Sequence, residues 1–97
     1  MRFNVSREAL EDLRAIGRYT QKIWGAAQRR KYLNGLDERF RFLATNPLIS
    51  PLRAEFSPPV RIHHHDSHLI VYLVEDTHIT IIRVLHGSMD IEAHLDN

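Results

Sequence analysis

Apolar and polar residues change rhythm twice along this chain. Residues 2–5 (Arg-Phe-Asn-Val) alternate, the period of a short strand. Ser6 then offers a helix N-cap, and Glu8 places an acid in the first turn, where the helix dipole favours it. Leu10, Leu13, Ile16, Thr20, Ile23 and Trp24 recur at helical spacing up to Gly25, which predicts a first helix ending there. A second helix starts at about Ala26. Its stripe is Leu33, Leu36, Phe40 and Leu43, and Asn46-Pro47 ends it. So short a break predicts an antiparallel helical hairpin. On these stripes Trp24 and Phe40 are expected in the core. The stretch 45–59 contains all four prolines and reads as a loop.

Beyond it the period becomes that of β structure. Runs at 60–65, 68–75 and 78–86 are separated by Asp66-Ser67 and Asp76-Thr77, which predict tight hairpins. His68 to Val74 is almost continuously apolar, as suits a central strand covered on both faces, or on one face plus a partner. Gly87 ends the last strand, and residues 90–95 can form one or two helical turns. The order β-α-α-β-β-β plus a short C-terminal helix defines an α+β fold, a small antiparallel β-sheet with an N-terminal α-helical hairpin packed on one face. Two-residue loops also set the register. His65 faces His68, His63 faces Ile70, Arg61 faces Tyr72, Tyr72 faces Ile81 and Ile70 faces Arg83. Strict alternation then puts Val60, Ile62, Leu69, Val71, Leu73, Ile82 and Val84 on one face, the expected core beneath the helices. The other face presents Arg61, His63, His65, His68, Tyr72 and Arg83 on an apolar floor, a candidate binding surface with Arg83 exposed.

Composition narrows the classes. At 97 residues the chain is expected to be a single domain, 1–97. It has no cysteine, which excludes disulfides, thiolate zinc and a cysteine nucleophile. No run is long enough to span a membrane, and charges interrupt the N-terminus at once, so a cytoplasmic location is expected. The net charge of +1 hides an uneven distribution: residues 1–61 hold 12 Lys/Arg against 6 Asp/Glu, whereas 62–97 hold Arg83 against 6 acids. The first part suits an acidic partner; the last is a poor phosphate binder.

The candidate chemistry is thin. His63, His65 and His68 share a face and imidazoles ligate transition metals, but no carboxylate completes the set, so no metal site and no cofactor are assigned. His63 near Arg83 suggests proton transfer, yet no nucleophile, glycine-rich phosphate loop or carboxylate pair accompanies it. No catalytic residue is assigned.

Ile82-Arg83-Val84-Leu85-His86-Gly87-Ser88-Met89-Asp90, with the Leu69-Ile70-Val71-Tyr72 strand and the helical hairpin, resembles the ParE-type toxins of the RelE/ParE superfamily of type II toxin–antitoxin systems. The resemblance covers essentially the whole chain in element order and length. It implies a toxin that is not a hydrolase but inhibits DNA gyrase by binding. It also implies a ParD-like antitoxin that wraps and neutralises the toxin in a hetero-oligomer, with DNA contacted only indirectly through antitoxin or gyrase. The competing class is the RelE-like ribosome-dependent mRNA endonuclease, which sets cations around the scissile phosphate. Residues 87–97 contain no Lys, Arg or Tyr, but hold Asp90, Glu92 and Asp96, which disfavours that chemistry. An inactive interaction domain of the same fold is the remaining alternative. Expected partner-binding residues are Arg83, His86 and Asp90 from the motif, and Arg61, His63 and Tyr72 from the register. An antitoxin segment is expected on the exposed sheet face and in the groove beside the helices.

Overall fold

Ser6 does two jobs at the entrance to the helical hairpin. Its Oγ accepts from the N–H of Ala9 at 3.0 Å, satisfying an orphan donor of the helix, and donates to the carbonyl of Ile82 at 2.9 Å. Its own N–H donates to the Ile81 carbonyl at 2.9 Å, so the cap also fixes the helix start against the last strand. The computed structural model describes residues 1–89 and 91–95. In order, these form β1 (Arg2–Val5), α1 (Arg7–Trp24), α2 (Ala26–Thr45), β2 (Leu52–Arg53), β3 (Val60–His65), β4 (His68–Val74), β5 (His78–His86) and α3 (Ile91–Leu95).

Gly25 links the helices at φ 93 and ψ 170, a conformation that only glycine adopts without strain. Its N–H bonds to the Gln21 carbonyl, closing α1, and its carbonyl accepts from Arg29 N–H, opening α2. The sheet order is β1-β5-β4-β3-β2. The fold is α+β as expected, but the sheet is mixed, since β1 runs parallel to β5. β2 was not foreseen: it is two residues long, lies within the proline-rich stretch and pairs at the edge of β3.

Between β3 and β4 the register is as predicted: Arg61 faces Tyr72, His63 faces Ile70 and His65 faces His68. Between β4 and β5 it holds at Tyr72–Ile81 and then shifts. Ile82 is the extra residue of a bulge, so Ile70 faces Val84 rather than Arg83, and Arg83 lies opposite Val71. The bulge changes the phase of the strand. Val84 joins Ile81, Ile79, Ile70 and Tyr72 in one buried cluster with Ala9, Leu36, Phe40 and Leu43 of the helices.

The expected assignment of sheet faces is reversed for Val60, Ile62, Leu69, Val71, Leu73 and Ile82, while the bulge returns Val84 to the helix-covered face where it was expected. The helices cover the face that carries Tyr72, and hence Arg61, His63, His65 and His68 at its margin. The opposite face is also closed: Val60, Ile62, Leu69, Val71 and Leu85 pack with Phe56 of the proline-rich loop and with Ile91 and Leu95 of α3. β4 is accordingly the central strand buried from both sides. Trp24 departs from expectation as well. It is 71% exposed, whereas Phe40 is in the core.

Candidate functional site

The residues expected to bind a partner separate into three places. Arg61, His63 and Tyr72 converge on the loop that follows α2. Arg61 Nη1 donates to the Ser50 carbonyl at 2.6 Å, and Tyr72 Oη donates to the Pro47 carbonyl at 2.9 Å. Ser50 Oγ lies 2.9 Å from His63 Nδ1. Tyr72 is fully buried, and the His63 ring packs near Phe42, over which the Arg39 guanidinium sits at 4.9 Å. Burial lowers the His63 pKa, and Arg39, His65 and His64 lower it further. This group straps a proline-rich loop to the sheet margin. It explains why polar residues are tolerated on the helix-covered face: each has found a partner there.

Arg83 stands apart from them. Its Nε and Nη2 donate to the two carboxylate oxygens of Asp12 at 2.8 and 2.9 Å. Asp12 Oδ2 also accepts from the Val84 N–H at 2.9 Å, beyond the last β5 residue paired with β1. The side chains are 24% and 15% exposed, so the expectation of an exposed Arg83 does not hold. The Asp12 hydrogen bonds raise the Arg83 pKa against the opposing effect of burial. Bidentate geometry with a third, backbone donor makes this a brace between α1 and β5.

His86 lies at a third place, the wall of a groove of about 860 Å³ under the free end of the helical hairpin. Tyr19 and Trp24 border it from the helices and Met89 from the turn after β5. Tyr19 is 65% exposed. On the floor, Tyr32 Oη is 2.5 Å from His68 Nδ1, and the His68 ring meets the His86 ring edge-on at 5.5 Å. Burial lowers the His68 pKa, with His86 and His65 acting in the same direction and Asp66 opposing them. The Tyr32 phenol is raised, chiefly by burial and then by Asp66. His86 Nδ1 is also 2.7 Å from Ser88 Oγ. Asp90 lies outside the described residues.

The three clustered histidines do not converge either. His63 is held by Ser50 and His68 by Tyr32, while His65 Nε2 is 3.6 Å from Asp66. Among the described residues no group of three His, Asp or Glu side chains is placed to hold a metal ion. An exposed aromatic groove with a few polar groups on its floor is suited to holding another protein's side chains.

The family model for the ParE toxin of the parDE type II toxin–antitoxin system matches residues 3–91. The chain belongs to the ParE toxin family. It is 32% identical over 93 residues to Toxin ParE1 of Caulobacter vibrioides, covering 96% of each chain. It is 34% identical over 96 residues to Toxin ParE1 of Mycobacterium tuberculosis, covering 97% of each. Against Toxin ParE of Escherichia coli, identity is 32% over 92 residues, or 94% of this chain and 89% of that one. A chain of the solved chromosomal ParDE system from P. aeruginosa shares the fold, with a TM-score of 0.74 at 22% identity over 89% of this chain and 95% of that one.

Within this ParE chain, sequence reasoning missed Asp12, Tyr19 and Tyr32, and misplaced Trp24. Asp12 and Tyr19 fall off the apolar helix stripe. Trp24 has a visible signal, since it directly precedes the helix-ending Gly25 at the turn of the hairpin, where residues 21–28 are all exposed. No helix among the described residues is long and apolar enough to cross a membrane.

Proposed function

We propose that this ParE-family toxin, acting in the cytoplasm as one domain across residues 1–97, inhibits growth by binding DNA gyrase, and that a ParD-like antitoxin neutralises it in a hetero-oligomer. Membership of the family over residues 3–91 carries the reading. The site supports action by binding rather than by cleavage. A ribonuclease of the RelE type needs cations free to meet charge that accumulates on a phosphate. Here the sheet cations are already engaged, Arg61 by the Ser50 carbonyl and Arg83 by Asp12, and Tyr72 is turned inward to Pro47.

The antitoxin segment docks in the groove bordered by Tyr19, Trp24 and Met89. Both faces of the sheet are covered, and the groove offers exposed apolar surface beside the helices at Tyr19, Trp24 and Met89. Exposed aromatics at a concave site are the usual anchors of such a segment. The test is a supercoiling assay with purified gyrase, relaxed plasmid and the toxin freed of antitoxin. Supercoiling is lost and cleaved plasmid accumulates, and prior addition of antitoxin restores the reaction. Undiminished supercoiling, with cleavage of ribosome-bound mRNA instead, overturns the proposal in favour of the RelE-type alternative.

A further inference from the structure

The helical hairpin has a second exposed surface, on the side of α1 turned away from the core. Residues 13–36 contain Arg14, Arg18, Lys22, Arg29, Arg30 and Lys31 and no Asp or Glu. Arg14, Arg18 and Lys22 recur every four residues and are all exposed, so they form one stripe along α1, about 6 Å apart at each step. The core side of α1 runs through Ala9, Leu13, Ile16 and Thr20. At about 100° per residue, the cationic stripe lies on the opposite side of the helix.

Arg29 of α2 joins this stripe through a specific accommodation. Its Nη1 donates to Gln21 Oε1 at 2.8 Å. Its guanidinium crosses α1 at Gly17, where an added Cβ would lie 2.9 Å from Nε. Gly17 and Gln21 are the helical neighbours of Arg14 and Arg18. A glycine in mid-helix costs about 1 kcal/mol relative to alanine. Here its missing side chain lets a fourth cation lie down beside two others. Among the described residues, none of Arg14, Arg18, Lys22 and Arg29 has a carboxylate in ion-pair range, and Arg29 is held by a neutral amide. Like charges at this spacing disfavour a helix by themselves, so the arrangement is relieved by an anionic partner.

We propose that this ridge binds the phosphate backbone of duplex DNA, so that the toxin contacts DNA directly and not only through its protein partners. The regular cations match a partner that carries regular negative charge. Between the cations Arg29 covers the buried Gly17 and meets Gln21, so no apolar side chain separates Arg14, Arg18 and Lys22, and Leu10 lies beyond the end of the row. Single strands are held on aromatic platforms, and the row of Arg14, Arg18 and Lys22 itself contains no aromatic side chain, with Tyr19 alone flanking it on the groove side. Contact with phosphates alone carries no base readout, so binding is independent of sequence. The inference goes beyond the gyrase reading and does not depend on it.

The test is fluorescence anisotropy of the full chain with a labelled DNA duplex, read between about 50 and 200 mM salt. Four phosphate contacts give a slope of log affinity against log salt of about −3.6. Arg14→Ala with Arg18→Ala flattens that slope by about 2 and weakens binding of unrelated duplexes equally. Gly17→Ala weakens binding by lifting Arg29 while leaving the circular dichroism spectrum intact, and Arg29→Ala reproduces the loss. Absence of duplex binding at low salt, indifference to these variants, or tighter binding of single-stranded DNA or of RNA overturns the proposal.

Discussion

Replacing Asp12 by alanine tests the brace between helix and sheet. One carboxylate receives two guanidinium N–H groups and the Val84 N–H, all within 2.9 Å. An exposed ion pair contributes about 0–1 kcal/mol, and breaking a fully buried one costs about 3–5 kcal/mol. With side chains 24% and 15% exposed, the Arg83–Asp12 pair lies between these limits. The truncation also orphans a backbone donor, which adds a desolvation penalty of about 1 kcal/mol or more. Asp12→Ala is therefore expected to cost about 2–3 kcal/mol in urea unfolding at unchanged m. Arg83→Ala costs less, about 1–2 kcal/mol, because Asp12 still serves Val84. The double variant costs clearly less than the sum, since both single changes break one unit. For a chain of this size, 1 kcal/mol corresponds to about 4–8 °C in Tm. A cost for Asp12→Ala within about 0.5 kcal/mol of zero, the range of an ordinary surface change, or strict additivity in the cycle, refutes the brace.

Three further outcomes follow from the packing. His63 and His68 both titrate below the usual imidazole value of 6.5 in the folded chain. The unfolded state then takes up protons first as pH falls, so stability declines from about pH 6.5 downward and levels off below the folded values. His68→Gln keeps an acceptor for Tyr32 and removes one titrating group, so urea midpoints between pH 7 and 5 should vary less than in the wild type. An unchanged pH profile would falsify the role given to His68. Gly25→Ala has open space around its Cβ yet sits at φ 93, and is expected to cost about 1–3 kcal/mol in urea unfolding from backbone strain alone; a neutral result shows that the link between the helices relaxes. Leu36→Ala empties a fully buried site between helix and sheet and should cost about 2–5 kcal/mol by the same measurement.

Much of the fold was legible because local chemistry and tertiary structure agree. Ser6 and Gly25 mark the ends of α1 by hydrogen bonding and by φ, both local properties. The β3–β4 register follows from a two-residue turn at Asp66-Ser67, with Asp66 at φ 51. Strict alternation failed at Ile82, because a bulge within Ile81-Ile82-Arg83-Val84 leaves no mark in an apolar run without glycine. That one residue moved Val84 to the helix-covered face. The reversal of the faces has a further cause. Both faces of β4 are apolar, and the polar residues of β3 are paired at the margin rather than solvated. Hydropathy counts cannot register a partner supplied by a loop, such as Ser50 or Pro47. The five candidate residues that the structure describes therefore dispersed: Arg61, His63 and Tyr72 hold the loop, Arg83 holds α1, and His86 reaches the groove.

The two halves of the helical hairpin are under different constraints. Ala9 near the start of α1, and Leu36, Phe40, Leu43 and Ala44 toward the end of α2, are packed into the core. Ser6 and Asp12 pin the same end to β5. Residues 21–28, around the turn at Gly25, are all exposed. Side chains there are released from core packing, so the exposed Trp24 and Lys22 carry little structural function. The groove opens beneath this free end, and the cationic ridge runs toward it along the face of α1 turned away from the core. Substitutions of Trp24 or Lys22 should consequently leave the unfolding midpoint almost unchanged, within about 0.5 kcal/mol. Loss of partner binding from such a variant reports on the contact itself. The same loss from Arg83 or Tyr72 reports first on the brace or the loop strap, and assigning it to a partner requires a matched stability measurement.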